Sequence, residues 1–323
     1  MARGQRARRP NWRCSVAVLC LTLAGCSSGG RINTDVQSYR AERNHEAGVL
    51  IAHATPGDLA AAALLLAPED ANTRRSLDLI QRAQALAPRR PELVWVQLTI
   101  CNRSKCEAEA QIAGHLQALD PDNAFAWALD LEKMSASDSD AVTAVIAHMG
   151  TSPRMTMYWN QLEVMMVDAL AVARPSQDLN TRGLDAIGIL AAESIPSLQA
   201  IVQACQPKQF DLRGRRAACE TMAARMERSD TILTQSLAIS LQEGWWPPGG
   251  PQQDVLRAKR RQLDYLVATS SRLRWWRLDH DMAVRLEAAR ITAREEDVAR
   301  AIIKSQGLPP SPPVSWKDPI YPG

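Results

Sequence analysis

Near its centre the chain reads Gln117-Ala118-Leu119-Asp120-Pro121, and 33 residues earlier it reads Gln84-Ala85-Leu86-Ala87-Pro88. The two prolines belong to a series with spacings of 32, 33 and 32 residues, made up of Pro56, Pro88, Pro121 and Pro153. Each of them stands between two runs that favour helix, whereas proline itself ends a helix. A fixed period of this length predicts helix pairs stacked one on the next.

Helix-favouring composition extends over most of the chain. From about residue 35 to about residue 305 the sequence is rich in Ala, Leu, Arg, Glu and Gln, and the whole chain contains two Phe among 323 residues. It shows no sustained alternation of polar and apolar residues, which is the pattern typical of strands. We therefore predict an all-α fold, with helical hairpin repeats followed by a C-terminal bundle of longer helices.

The run Leu119-Asp120-Pro121-Asp122-Asn123-Ala124-Phe125-Ala126-Trp127 resembles the tetratricopeptide repeat, a family of 34-residue helix pairs with a packing aromatic six residues after the proline. Trp159 holds that position after Pro153 and Val94 holds it after Pro88. The resemblance covers roughly residues 72 to 170 and implies a solenoid with a concave groove. The family's glycine and later tyrosine are replaced by Leu131, Met134, Glu163 and Met166. A plain array of helical hairpins unrelated to that family is the alternative.

The resemblance also implies a partner-binding groove. Trp95 stands seven residues after Pro88, at the position that faces the concave side in this family. Helical spacing places Glu92, Trp95 and Thr99 on one face, and the matching positions after Pro153 are Met157, Asn160 and Val164. A rigid aromatic and a flexible methionine suit an apolar partner segment. The alternative is that these residues pack against the C-terminal helices.

Breaks in the helical pattern divide the chain into five predicted segments. The period is lost after about residue 175, where we expect two or three longer helices that form a separate bundle or pack along the repeats. The segments are a lipoprotein signal peptide (1–25), a flexible tether (26–34), helical repeats (35–174), a C-terminal helical region (175–306) and a proline-rich tail (307–323).

The N-terminus has the features of an export signal. Its first thirteen residues contain five arginines and no acid, and the apolar run that follows is too short to span a bilayer, which needs about 20 residues. Leu23-Ala24-Gly25-Cys26 then resembles the lipobox of bacterial lipoproteins, which implies acylation of Cys26. Ser27 in place of aspartate implies sorting to the periplasmic face of the outer membrane. An ordinary cleavable signal with a chance cysteine is the alternative.

Charge and cysteine content constrain the mature chain. Without the five signal arginines, 33 basic residues face 35 acidic ones, so we expect no nucleic-acid partner. Four cysteines remain besides Cys26, and each local pair flanks a predicted interhelical turn. We predict the disulfides Cys101–Cys106 and Cys205–Cys219, as is usual for exported proteins. The alternative is a metal site, although the spacings do not match ordinary zinc ligands.

The sequence contains no recognisable catalytic constellation. His45 and His53 lie eight residues apart, and Asp279-His280-Asp281 reads as a solvated polar patch, because neighbouring helical residues point in different directions. We therefore predict a non-enzymatic lipoprotein, with lipid on Cys26 and no cofactor, that binds a protein or peptide of the cell envelope as an adaptor or assembly factor. The alternatives are an envelope enzyme or an activator of a cell-wall enzyme, and a structural spacer.

Overall fold

The computed structural model describes residues 31–68, 70–134, 139–193, 198–271 and 277–317. The predicted lipid site at Cys26 lies outside these residues, as do the signal peptide, most of the tether and the end of the tail. Within the described residues the chain forms α-helices and short 3-10 turns, with no β-strand. The predicted all-α fold is confirmed.

The helices follow one another with short connections. Their bounds are α1 Arg31–His53, α2 Pro56–Leu66, α3 Thr73–Leu86, α4 Pro91–Ser104, α5 Glu109–Leu119, α6 Ala128–Lys133, α7 Ser139–Thr151, α8 Trp159–Ala173, α9 Leu179–Ala191, α10 Leu198–Ala204, α11 Arg215–Met226, α12 Ile232–Glu243, α13 Pro251–Ser270, α14 Leu278–Ile291 and α15 Glu295–Ser305. Pro56 and Pro91 begin α2 and α4, at the first helical position where the missing N–H has no partner to lose.

Consecutive helices pack as pairs, and the repeat seen in the sequence has a structural counterpart. The amide Nε2 of Gln84 on α3 donates to Leu93 O at 3.2 Å and to Gln97 Oε1 at 3.0 Å, which ties α3 to α4. The same bridge recurs 33 residues later with distances of 3.1 and 2.9 Å, at Gln117, Ala126 and Asp130. The recurring glutamine is therefore a clamp between successive helices.

The stack of pairs closes on itself through α2. This helix begins with a capping box between Thr55 and Asp58, and its residues from Leu59 to Leu66 are all buried. It packs against α3 and α4, and also against α8 and α9 much later in the chain. Four consecutive alanines, residues 60–63, allow these close approaches. The inner side of the stack is therefore a filled core.

Two loops of the repeats are joined by a buried asparagine. Asn123 Nδ2 donates to Thr156 O at 2.9 Å and to Tyr158 Oη at 3.1 Å, and Asn123 Oδ1 accepts from Thr156 N at 3.0 Å. Asp120 accepts hydrogen bonds from Arg154 and from Tyr158. Desolvation and the Asp120 carboxylate raise the pKa of Tyr158 well above its usual value. The Asp-Pro-Asp-Asn run thus fastens one repeat to the next.

The C-terminal region is divided more finely than the sequence pattern indicates. Its described residues form seven helices, α9 to α15, of which only α13 is longer than every helix from α2 to α8. One break comes at Thr231, whose side chain accepts from Thr234 N and begins α12. Helix α11 packs against α7, and α14 against α8 and α9, so this region lies along the repeats.

Two disulfides link neighbouring helices. Cys101–Cys106 bridges the end of α4 to the turn before α5, and Cys205–Cys219 joins the end of α10 to α11, with Cα–Cα distances of 5.0 and 5.5 Å. The structure contains both predicted pairs. Such bonds are found mainly in oxidising compartments outside the cytoplasm. None of the helices in the described part of the chain combines the length and apolar character needed to cross a membrane.

Candidate functional site

The first three predicted groove residues lie on α4. The side chain of Trp95 is buried, and its ring makes edge contacts with Phe125 and Tyr158 at centroid distances of 6.0 Å. Thr99 is also buried and donates to a backbone carbonyl of its own helix. Glu92, at the start of α4, is half-buried and pairs with Arg90 at 2.6 Å. Two of these residues therefore belong to the core.

The other three lie around the start of α8, under the C-terminal helices. Met157 and Asn160 are buried, and Asn160 Nδ2 donates to Thr292 O at 2.9 Å. Val164 packs against the apolar side of α14 and α15. The structure thus places Met157 and Asn160 in the interior and leaves Val164 partly buried, because α2 closes the stack and α14 covers α8. In this conformation they offer no open groove to a partner.

Ionisable groups meet at the same place, in a cluster that we call the acid junction: Glu163, Asp230, Glu295 and Arg285. Glu163 is fully buried and forms two hydrogen bonds with the guanidinium of Arg285, at 2.5 and 2.9 Å. Glu295 N donates to Asp230 O at 2.7 Å, and Glu295 Oε2 accepts from Ile232 N at 2.9 Å. The junction ties α8 to the start of α12 and to the α14–α15 turn.

Burial has the largest effect on the pKa values of the acids in the acid junction. Asp230 Oδ2 accepts from Thr156 Oγ1 at 2.6 Å and from Met157 N at 2.9 Å, and these bonds favour its charged form. Desolvation outweighs them and raises the pKa of Asp230 to about 6, with a further contribution from Glu295. Burial also raises the pKa of Glu295, against the attraction of Arg285.

The acid junction contains residue types found in some hydrolase sites, but Glu163 and Asp230 are buried. Two carboxylates with raised pKa values beside a third one would suit general acid–base chemistry if a substrate could reach them. Here Glu163 is neutralised by Arg285, and Asp230 is only 3% exposed. In the part of the chain that the structure describes, no three side chains of His, Cys, Asp or Glu could together hold a metal ion. The arrangement serves to fasten the repeats to the C-terminal helices.

A different surface holds residues 308–316 of the chain's own proline-rich tail, which has no helix or strand and bends at residues 310–311. We call it the tail face; it is formed by Arg261, Gln262 and Tyr265 on α13 and Arg300 on α15. Tyr265 Oη donates to Pro309 O at 2.7 Å. Gln262 Nε2 donates to Pro310 O at 3.1 Å, and Arg300 Nη1 reaches the same oxygen at 3.5 Å. Adjacent carbonyls of the proline-rich tail are thus held by side chains of two helices.

Arg261 holds the far end of this segment. Its Nη2 donates to Pro313 O at 2.7 Å, to Trp316 O at 3.0 Å and to Val314 O at 3.3 Å. The guanidinium lies 5.5 Å from the centroid of the Trp316 ring, which also makes an edge contact with Tyr265. Each of these hydrogen bonds ends on a backbone carbonyl oxygen.

The tail face covers a separate hydrophobic core between α12, α13 and α15. Leu308 and Trp316 pack onto this core from outside. Beside it lies a cavity of about 400 Å³, whose apolar lining includes Ile239 and Leu263 and whose polar lining includes Gln262. Gln262 therefore contacts the tail on one side and borders the cavity on the other.

The sequence pattern predicts a proline-rich tail, but it does not predict that the tail docks on the chain. The available sequence signals were Trp316 among the prolines and Arg261 four residues before Tyr265. The chain matches no family model, no curated protein and no solved structure. The fold and the contacts of its own residues therefore define it, as an all-helical protein of sequentially packed helix pairs.

Proposed function

We propose that this protein is a non-enzymatic lipoprotein of the bacterial envelope that acts as an adaptor or assembly factor by binding a protein or peptide partner. The observation that carries the proposal is the tail face, where three donors on α13 and Arg300 on α15 hold a proline-rich segment by its backbone carbonyls. Side chains that recognise the main chain of an extended ligand are characteristic of peptide-binding surfaces. The proposal assigns partner binding to this outer face, since the inner side of the repeats is filled.

Anchoring is the second part of the proposal. The arginine-rich start, the short apolar run and Leu23-Ala24-Gly25-Cys26 together favour export and acylation of Cys26, at the periplasmic face of the outer membrane. Two disulfides agree with export from the cytoplasm. The lipid would hold the adaptor at the membrane, and the helical region would face the periplasm.

The alternative of an envelope enzyme, or of an activator of a cell-wall enzyme, would depend on the acid junction. The proposal gives these carboxylates a structural role, because their hydrogen bonds are made to the protein itself. A plain spacer would not need donors arranged along a proline-rich segment, and the tail face therefore favours the adaptor over the spacer.

Site-specific photo-crosslinking in intact cells tests the adaptor role. A benzophenone side chain would replace Ala258, which is exposed on α13 at the cavity beside the tail face. The matched control would replace His115, which is exposed on α5. We expect a discrete protein adduct from position 258 and none from position 115. No adduct at position 258, or equal adducts at both positions, would contradict partner binding at this face.

A further inference from the structure

We propose that the tail face is a binding site for a proline-rich segment of another protein, and that residues 308–316 of the chain occupy it as an internal, inhibitory ligand. This inference rests on the proposed adaptor role and names the chemical class of the partner.

The chemistry of the contacts identifies the ligand class. Proline has no N–H, so a proline-rich segment cannot form a helix or a sheet ladder, and its carbonyl oxygens stay free as acceptors. The tail face offers donors to such oxygens: Tyr265 to Pro309, Gln262 to Pro310 and Arg261 to Pro313. These donors bind backbone carbonyls of the proline-rich segment, and another chain with the same proline spacing would offer the same acceptors.

Two apolar side chains, Leu308 and Trp316, mark the two ends of the sequence motif expected in the ligand. Leu308 lies before the first proline pair and Trp316 lies three residues after the second pair, and both pack on the core between α13 and α15. The segment turns at its end, where Trp316 N donates to Pro313 O at 2.9 Å, and this turn brings the indole over Arg261. The expected ligand therefore has the pattern Leu-Pro-Pro-x-Pro-Pro-x-x-Trp.

The tail is held on the tail face in a way that allows a partner segment to replace it. Its prolines Pro309, Pro310 and Pro313 are exposed, as is Val314, so the segment lies on the surface and is not enclosed. It leaves α15 at Gly307, whose φ of 70° lies in the left-handed region that glycine adopts without strain. Releasing the tail would uncover Leu308, Trp316 and the core beneath them but would leave the helices in contact with one another.

The tail is covalently connected to the helices, which explains why it occupies the tail face in the absence of a partner. A short linker gives a tethered segment an effective concentration of about millimolar. A free peptide with identical contacts must approach that concentration to compete, whereas a partner with a stronger anchor displaces the tail at lower concentration. Replacing the apolar anchors of the tail, Leu308 and Trp316, should therefore make the tail face available to a free peptide.

A peptide titration tests this inference on the full mature chain. The probe is a fluorescein-labelled synthetic peptide of residues 306–317, followed by fluorescence anisotropy. The site-opened variant is Leu308→Ser with Trp316→Ala, which removes both apolar anchors and keeps the chain length. We expect the peptide to bind the site-opened variant at least tenfold more tightly than the wild type.

Changes in the face itself complete the test. Adding Arg261→Ala and Tyr265→Phe to the site-opened variant should weaken peptide binding at least tenfold, because donors to Pro309 and Pro313 are lost. Arg257→Ala is the matched control, since Arg257 lies one turn earlier on α13 and pairs with Asp254; it should leave the affinity unchanged. Circular dichroism would verify that all variants keep their helix content.

The outcomes separate the two proposals. Equal peptide affinity for the wild type and the site-opened variant, or an affinity insensitive to Arg261→Ala and Tyr265→Phe, would overturn the proline-rich ligand. If position 258 still forms a specific adduct in cells, the adaptor role stands and only the ligand class fails. If the peptide binds as expected and no adduct forms, the site stands and the adaptor role fails.

Discussion

Asp230 shows how a single buried acid can connect distant parts of this chain. Its side chain accepts from Thr156 and Met157, while its backbone carbonyl accepts from Glu295 N. Its Oδ1 atom is buried without a hydrogen-bond partner. Burial of a carboxylate with one unsatisfied oxygen disfavours the charged form, which is why the pKa of Asp230 is raised.

The raised pKa of Asp230 predicts a pH-dependent stability. Between its ordinary value of 3.8 and the folded value of about 6, the folded state keeps a proton that the unfolded chain has lost. The contribution of Asp230 to the free energy of unfolding therefore falls as pH rises through this window. The Asp230→Asn variant cannot titrate at this position. Relative to it, the free energy of unfolding of the wild type should fall by up to roughly 3 kcal/mol between pH 4 and pH 7.

Urea unfolding at pH 4, 5, 6 and 7 measures this difference. Asp211→Asn, at an exposed carboxylate, is the control and should keep the pH dependence of the wild type. A constant difference between the wild type and Asp230→Asn at all four pH values would show that Asp230 is not the titrating group.

At the scale of helices, α7 and α11 cross with their backbones close together at Gly150. A Cβ added at Gly150 on α7 would lie 2.8 Å from Met222 N and 3.0 Å from Thr221 C. Both atoms belong to the backbone of α11, so they cannot move aside as a flexible side chain would. Gly150 is therefore needed for the packing of the C-terminal region on the repeats.

Alanine substitutions at two glycines test this crossing. Gly150→Ala should lower the free energy of unfolding by about 1 to 3 kcal/mol, because the backbones of α7 and α11 must separate. Gly114→Ala on α5 is the matched control, since its Cβ would meet no atom within 4 Å. It should raise stability by about 0.5 to 1 kcal/mol, because alanine favours helix more than glycine does. Destabilisation of both variants to the same extent in urea unfolding would contradict the packing argument.

At the scale of the whole molecule, the repeats form a closed unit and not an open solenoid. An ordinary repeat stack leaves apolar faces at both ends. Here α2 and α8 contact each other, so the early and late helices of the repeats cover one another, and α14 packs on α8. We therefore expect the proposed partner to bind outside the stack.

The proposed anchor predicts where the whole molecule resides. Cys26→Ser should move the protein from the membrane fraction to the soluble fraction and abolish the acyl mass on the N-terminal peptide, because each buried methylene contributes about 0.8 kcal/mol to anchoring. Cys20→Ser changes a cysteine of the signal's apolar run, as a control, and should leave the protein in the membrane fraction. Membrane retention of Cys26→Ser without an acyl group would contradict lipid anchoring.

Local signals in the sequence were enough to predict the helical fold and the cystines, although not the number of helices after residue 175. Proline spacing indicated where helix pairs begin, and the glutamines at positions 84 and 117 marked the repeat that the structure shows as a recurring clamp. The cysteines of the pairs Cys101–Cys106 and Cys205–Cys219 are 5 and 14 residues apart, so proximity in sequence is also proximity in space. These features depend on residues within about one repeat of each other.

Only the tertiary structure decided what covers each helix. Asn160 contacts Thr292, Glu163 contacts Arg285, and α2 contacts α8, across separations of a hundred residues or more. Helical periodicity tells which side of a helix is apolar, but that side is equally suited to a partner and to another part of the chain. Trp95 is buried, and the tail docks on α13, because the whole chain folds back on itself. This arrangement depends on the summed packing of many residues, which no local sequence pattern predicts.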